Sequence, residues 1–232
     1  MEGIYCGPPP VPHAIWASWN FDPYLLGGLL LLAAVAGRDR TGAAAVGVLV
    51  VAFVSPLCAL SSALFSARVV HHLLLVAVAA PLFAWSMPAW RTRNPGLSFT
   101  VSTAVLWVWH VPSAYDLALS HMGVYWLMQV SLVTSALWYW RDVFAADRSP
   151  VEALALVVAG FTQMGMLGAI LTFAPQQLYA AHAVAPLAWS LTPLADQQLG
   201  GLLMWVPAGL PYAVAAGAAA RRGWSDLKGR GA

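Results

Sequence analysis

The sequence predicts an all-α polytopic membrane protein: a seven-transmembrane-helix bundle with its N-terminus outside and its C-terminus inside. Three observations predict this. The first is composition, since the 232 residues are 60% hydrophobic and only 9% charged, whereas a soluble domain carries roughly 25% charged residues. The second is a set of seven apolar segments, most of them near the ~20 residues that a helix needs to cross the hydrocarbon core. The third is the one-sided placement of basic residues.

The segments run Phe21–Gly37, Gly42–Leu60, Val69–Trp90, Leu97–Leu119, Met122–Trp140, Val151–Ala174 and Gln197–Ala220. Residues 1–20 form an outer N-terminal segment, 21–220 the transmembrane bundle and 221–232 a basic cytoplasmic tail. The first span is short and borrows length from Trp19 and Asn20. Asp22 before Pro23 supplies an N-cap acceptor followed by proline at the first helical position. Ser149-Pro150-Val151-Glu152 has the spacing of a capping box. Thr192-Pro193 opens the last helix early, which places Asp196 in its first turns. Internal prolines (Pro56, Pro81, Pro112, Pro207 and Pro211) kink helices and free carbonyls, which a bundle interior tolerates.

With the N-terminus outside, the inner loops hold Arg38, Arg40, Arg91, Arg93, Arg141 and Arg148, and the tail adds Arg221, Arg222, Lys228 and Arg230. Ten of the eleven Lys and Arg residues therefore lie on one side, with Arg68 on the other. The net charge of +2 and the lack of a basic cluster exclude nucleic acid as a partner and leave the lipid bilayer. The first twenty residues have neither a basic region nor an apolar run, so they read as neither signal nor transit peptide. Cys6 and Cys58 are too few for a disulfide framework, and a single bridge stays open.

In this topology all six histidines fall in the outer half. His13, His121 and His182 lie in outer segments and loops, while His71 and His72 lie within a turn of the outer end of the third span. His110 is deeper, about 18 Å from the inner boundary at 1.5 Å per residue. For His13 and His121 the simplest reading is a headgroup-level amphipathic residue, and for most methionines it is helix packing. His110 is different, because a polar ring near mid-bilayer faces protein or water. Segregated imidazoles, with thioethers such as Met164 and Met204 at varying depth, form a ligand set that suits copper as Cu(I). Adjacent His71 and His72 point about 100° apart, so they cannot both face one site squarely. One looks inward and the other meets headgroups or a neighbouring helix. Arg68, at i,i+4 from His72, opposes both its protonation and the approach of a cation.

Longer stretches add a resemblance. Ser55-Pro-Leu, Leu64-Phe-Ser-Ala-Arg-Val-Val-His-His-Leu-Leu-Leu and Ala80-Pro-Leu resemble the CtaG family of cytochrome c oxidase assembly proteins. So do Leu106-Trp-Val-Trp-His-Val-Pro-Ser-Ala-Tyr-Asp-Leu-Ala-Leu, Leu167-Gly-Ala-Ile-Leu-Thr-Phe-Ala-Pro and Leu194-Ala-Asp-Gln-Gln-Leu-Gly-Gly-Leu-Leu-Met-Trp-Val-Pro. The resemblance implies a non-enzymatic, seven-span assembly factor of a bacterial inner membrane. Its implied partners are a subunit of a heme-copper cytochrome c oxidase and a periplasmic copper donor. His72 and His110 match family histidines, Asp196 the acid of the DQ motif, and His182 a position some members share. Three departures stand against copper: Arg68, Tyr125 and Gln129 occupy positions where the family pattern places histidine, and His71 replaces a usual glutamine.

The leading expectation is an assembly factor that aids copper delivery to the oxidase from the outer face. The alternatives are a metal-free assembly scaffold, a copper transporter and a membrane heme protein with histidine ligands. A retinal protein is excluded because the sole lysine, Lys228, lies in the tail, and a zinc protease because H-E-x-x-H is absent.

Overall fold

The computed structural model of the chain describes residues 5–88 and 94–230. Trp90, Arg91 and Arg93, placed by sequence at an inner loop, lie outside the described residues. Among the described residues there is no strand, and eleven α-helices carry the fold.

The helix starts follow the capping chemistry in the sequence. Helix α1 (Pro23–Ala36) opens on Asp22, whose side chain accepts from the Tyr24 N–H. Helix α2 (Arg40–Phe53) opens on Asp39, and α3 (Pro56–Ala63) on Ser55, with proline at the first helical position. The second apolar segment is therefore not one straight span, since α2 and α3 meet at a 48° bend. Pro56 lacks the N–H that would continue the ladder, and Ser55 caps a new helix instead.

The third segment starts a turn earlier than the periodicity predicts, as α4 (Phe65–Leu73). It passes through a π-helical turn (Leu74–Ala79) into α5 (Ala80–Ser86). That turn has a cause. Within it the Ala80 N–H bonds the Leu75 carbonyl, five residues back. Pro81, next in this register, has no N–H for the Val76 carbonyl. The indole of Trp140 donates to the Val76 oxygen instead, at 2.8 Å.

The fourth segment is broken as well, into α6 (Pro95–Val108) and α7 (Pro112–Ser120). Helices α8 (Met122–Val143) and α9 (Pro150–Thr172) follow, the latter with the predicted capping box on Ser149 and Glu152. The last segment is α10 (Pro193–Trp205), capped by Thr192 with Asp196 in its first turn, and α11 (Gly209–Arg230). Helix α11 continues without interruption past Ala220, so residues 221–230 extend the last helix.

The run from α4 through α5 is the central element, touching α2, α3, α8 and α10, while α9 packs on α10 and α11. Three helical runs, Phe65–Ser86, Pro150–Thr172 and Pro193–Ser225, are long and apolar enough to cross a membrane, and the bent α2–α3 pair makes a fourth if it is one span. Leu30, Leu31, Val35, Val151, Val158 and Val214 are all exposed on the rim. Polar side chains such as Arg68, His71, Gln129 and Asp196 are buried. This inversion of the soluble pattern is what a bilayer solvent demands.

Candidate functional site

Arg68, His71, His72, His110, His182 and Asp196 are buried, whereas His13 and His121 are exposed, and the structure sorts the buried ones into two groups. The first surrounds Arg68. Its side chain is 0% exposed, its Nε donates to the Ser61 carbonyl at 3.1 Å, and its guanidinium carbon lies 5.4 Å from the Tyr125 ring centroid. Both Nη atoms are buried without a hydrogen-bond partner. Among the described residues no carboxylate pairs with it.

His71 and His72 stand beside this cation, with ring centroids 5.7 Å apart. They diverge as adjacent helical residues must. His71 turns toward α2, edge-on to Phe53 at 4.8 Å, and both its ring nitrogens are buried without partners. His72 turns toward α8, where the Gln129 amide nitrogen lies 3.4 Å from its Nε2. Neither ring reaches headgroups, because both meet neighbouring helices.

His110 sits in the break between α6 and α7. Its backbone N–H bonds Trp107 rather than Leu106, which releases the Leu106 carbonyl. The His110 Nδ1 donates to that oxygen at 2.7 Å. A carbonyl only accepts, so this bond fixes the neutral tautomer with the lone pair on Nε2. His110 is within electrostatic reach of His72. Met164 and Met204 are buried at 2% and 3% exposure. Met204 packs against Gly168 in the contact between α9 and α10, and Met164 lines a small cavity of about 30 Å³ with Ser102, Thr103, Ser135 and Gln163.

The second group is a latch. The Asp196 carboxylate accepts from the backbone N–H groups of Phe65 and Ser66, at 2.6 and 3.1 Å, and from the Ser66 hydroxyl. Grouped with the metal ligands on sequence, it serves in the structure as a long-range cap on α4, whose own N-cap, Leu64, has no side-chain acceptor. Gln197 accepts from the Leu178 N–H at 2.7 Å. His182 is engaged at both nitrogens: Nδ1 donates to the Ala63 carbonyl at 3.3 Å, and Nε2 accepts from the Tyr115 hydroxyl at 2.8 Å. Burial first, and the Arg68 charge second, push its pKa down to about 4. Asp116 accepts from the Ala180 and Ala181 N–H groups, and Tyr179 donates to the His110 carbonyl at 3.0 Å. The D-Q-Q and W-H-x-P stretches thus clamp the loop between α9 and α10 over the bundle.

Sequence reasoning left the lid over the first group unassigned. Cys6 and Cys58 form a disulfide, with Cα atoms 5.2 Å apart. It ties the N-terminal segment to α3, lays Tyr5 against Tyr125 and Trp126 at 5.3 and 4.7 Å, and sets Cys6 Sγ 3.4 Å from the Tyr125 hydroxyl. The even cysteine count was the one available signal, and it carried no geometry. With both thiols in the bridge, the soft ligands left are thioethers. Among the described residues no three His, Cys, Asp or Glu side chains come together as a metal site.

No curated protein and no solved structure matches the chain. A family model described as "Cytochrome c oxidase caa3 assembly factor (Caa3_CtaG)" matches residues 24–226. That match takes in all eleven helices but for Pro23 and the last residues of α11, so the chain belongs to the family of cytochrome c oxidase caa3 assembly factors.

Proposed function

We propose that this protein assists assembly of a heme-copper oxidase as a membrane-embedded, metal-free scaffold that receives an oxidase subunit on its outer face. It crosses a bacterial inner membrane seven times with the N-terminus outside. The basic residues support that orientation, and the Cys6–Cys58 bridge supports an oxidising compartment at that end.

The observation that carries the scaffold reading is Arg68. A guanidinium buried without a counter-charge beside His71 and His72 repels a second cation strongly in a medium of low polarity. The hydrogen-bonding capacity around it is also better matched to protein packing than to Cu(I), since Asp196 and His182 are spent on the latch.

One observation favours a second reading, in which copper passes through from a periplasmic donor as cargo. The His110 Nδ1–H···O=C bond leaves Nε2 with its lone pair, the arrangement common among metal-ligating histidines. His72 and His110 would then be the transient ligands.

Competition for Cu(I) against a coloured chelator, with purified wild type and His72→Ala, decides between them. The scaffold reading expects equal, weak competition by both proteins, together with capture of an oxidase subunit from copper-starved cells. Near-stoichiometric Cu(I) binding that His72→Ala abolishes would overturn it in favour of cargo transfer.

A further inference from the structure

The end of the bundle opposite the disulfide holds features that the scaffold reading above does not use. A cleft of about 570 Å³ opens there, lined by Arg148, Arg221, Arg222 and Ser225 with Trp85 at its edge. An apolar groove of about 360 Å³ runs beside it between α5 and α11, lined by Pro81, Leu82, Phe144, Pro211 and Val214. Trp85 and Ala218 line both spaces, so cleft and groove are continuous.

The cleft is built, and it carries an unmet donor. The Arg148 side chain is 9% exposed, its Nε reaches the Asp142 carbonyl at 3.4 Å, and its Nη2 is buried without a hydrogen-bond partner. One carboxylate, Glu152, stands 3.8 Å from Nη1 and is itself 59% exposed. Among the described side chains, three guanidinium groups against one carboxylate leave the cleft cationic, and planar guanidinium forks suit phosphate oxygens. The apolar lining next to it has no use for a free anion but matches a hydrocarbon chain. An indole at the junction suits the polar–apolar boundary of a leaflet.

We propose that this is a binding site for an anionic phospholipid, with the phosphate among Arg148, Arg221 and Arg222 and one acyl chain in the groove between α5 and α11. Its occupant comes from the leaflet on the arginine-bearing side, where juxtamembrane cations meet anionic headgroups. Pinning α5 to α11 there braces the helix whose other half, α4, carries Arg68, His71 and His72.

Native mass spectrometry of the whole, delipidated protein tests this by titration with phosphatidylglycerol and with phosphatidylcholine of the same chains. Wild type is expected to hold phosphatidylglycerol about tenfold more tightly. Arg221→Gln/Arg222→Gln, two exposed positions, removes that preference. Ala218→Trp, which fills the junction without changing charge, weakens both lipids, and millimolar inorganic phosphate leaves phosphatidylglycerol bound. Equal retention of the two lipids by wild type, or a preference that survives the double variant, overturns the proposal. Displacement by inorganic phosphate with Ala218→Trp unaffected overturns it too, in favour of a simple anion site.

Discussion

Asp196 takes two backbone donors and one hydroxyl on one fully buried carboxylate. Removing it leaves the first N–H groups of α4 unmet, so Asp196→Ala costs about 3 kcal/mol or more of stability, measured as a lower thermal midpoint in detergent. Asp196→Asn, which keeps one acceptor, loses less. If both variants unfold like wild type, Asp196 is not a cap. His182 makes a second prediction. Its folded pKa of about 4 lies below the ordinary value near 6.5, so between those values the unfolded chain binds the extra proton. Stability therefore falls as pH drops from about 6.5 to about 4, by up to about 3 kcal/mol. His182→Gln flattens that slope, and an unchanged slope in the variant would assign the acid sensitivity elsewhere.

At the scale of elements, the contact of α9 with α10 depends on absent side chains. A Cβ at Gly201 would sit 2.5 Å from the Gly168 carbonyl oxygen, and one at Gly168 would sit 2.8 Å from that of Gly201. Backbone cannot step aside as a flexible side chain can, so close helix approach requires glycine at both positions. Gly201→Ala is expected to destabilise by about 1–3 kcal/mol, while Gly217→Ala, with nothing within 4 Å, is neutral or slightly stabilising. Equal midpoints for the two variants would contradict the close-packed contact. The Cys6–Cys58 bridge acts on another pair of elements, closing 52 residues of sequence and holding the Tyr5 lid on Tyr125 and Trp126. Cys6→Ser is expected to lower stability by about 2–4 kcal/mol and to make residues 5–20 cleavable by a protease that spares wild type.

At the scale of the whole molecule, the two ends differ in kind. One end is a disulfide-bound lid over buried imidazoles, and the other bears exposed Arg221 and Arg222 with Arg148 in a cleft. The proposed orientation predicts the side on which each is reached. After mild reduction in intact cells whose outer membrane has been permeabilised, a thiol reagent that cannot cross the inner membrane labels Cys6. A single cysteine at Ser225 in a cysteine-free background stays unlabelled until the inner membrane is opened. The reverse pattern would invert the topology.

Composition alone determined the solvent. With so few charges and so many apolar residues the chain has no polar surface to offer water, so an all-α bundle in lipid follows from length and hydropathy. Capping was equally legible, because Asp22, the Ser149–Glu152 box and Thr192 act within a few residues of themselves. Tertiary structure decided what depends on distant partners. Nothing local in the sequence makes Asp196 the cap of a helix that begins 131 residues earlier, joins Cys6 to Cys58, or shows Trp140 answering the carbonyl that Pro81 leaves open. The breaks at Ser55 and His110 fall between the two. Proline marks them in the sequence, and the size of the bend is set by whichever groups, near or far, take up the freed backbone.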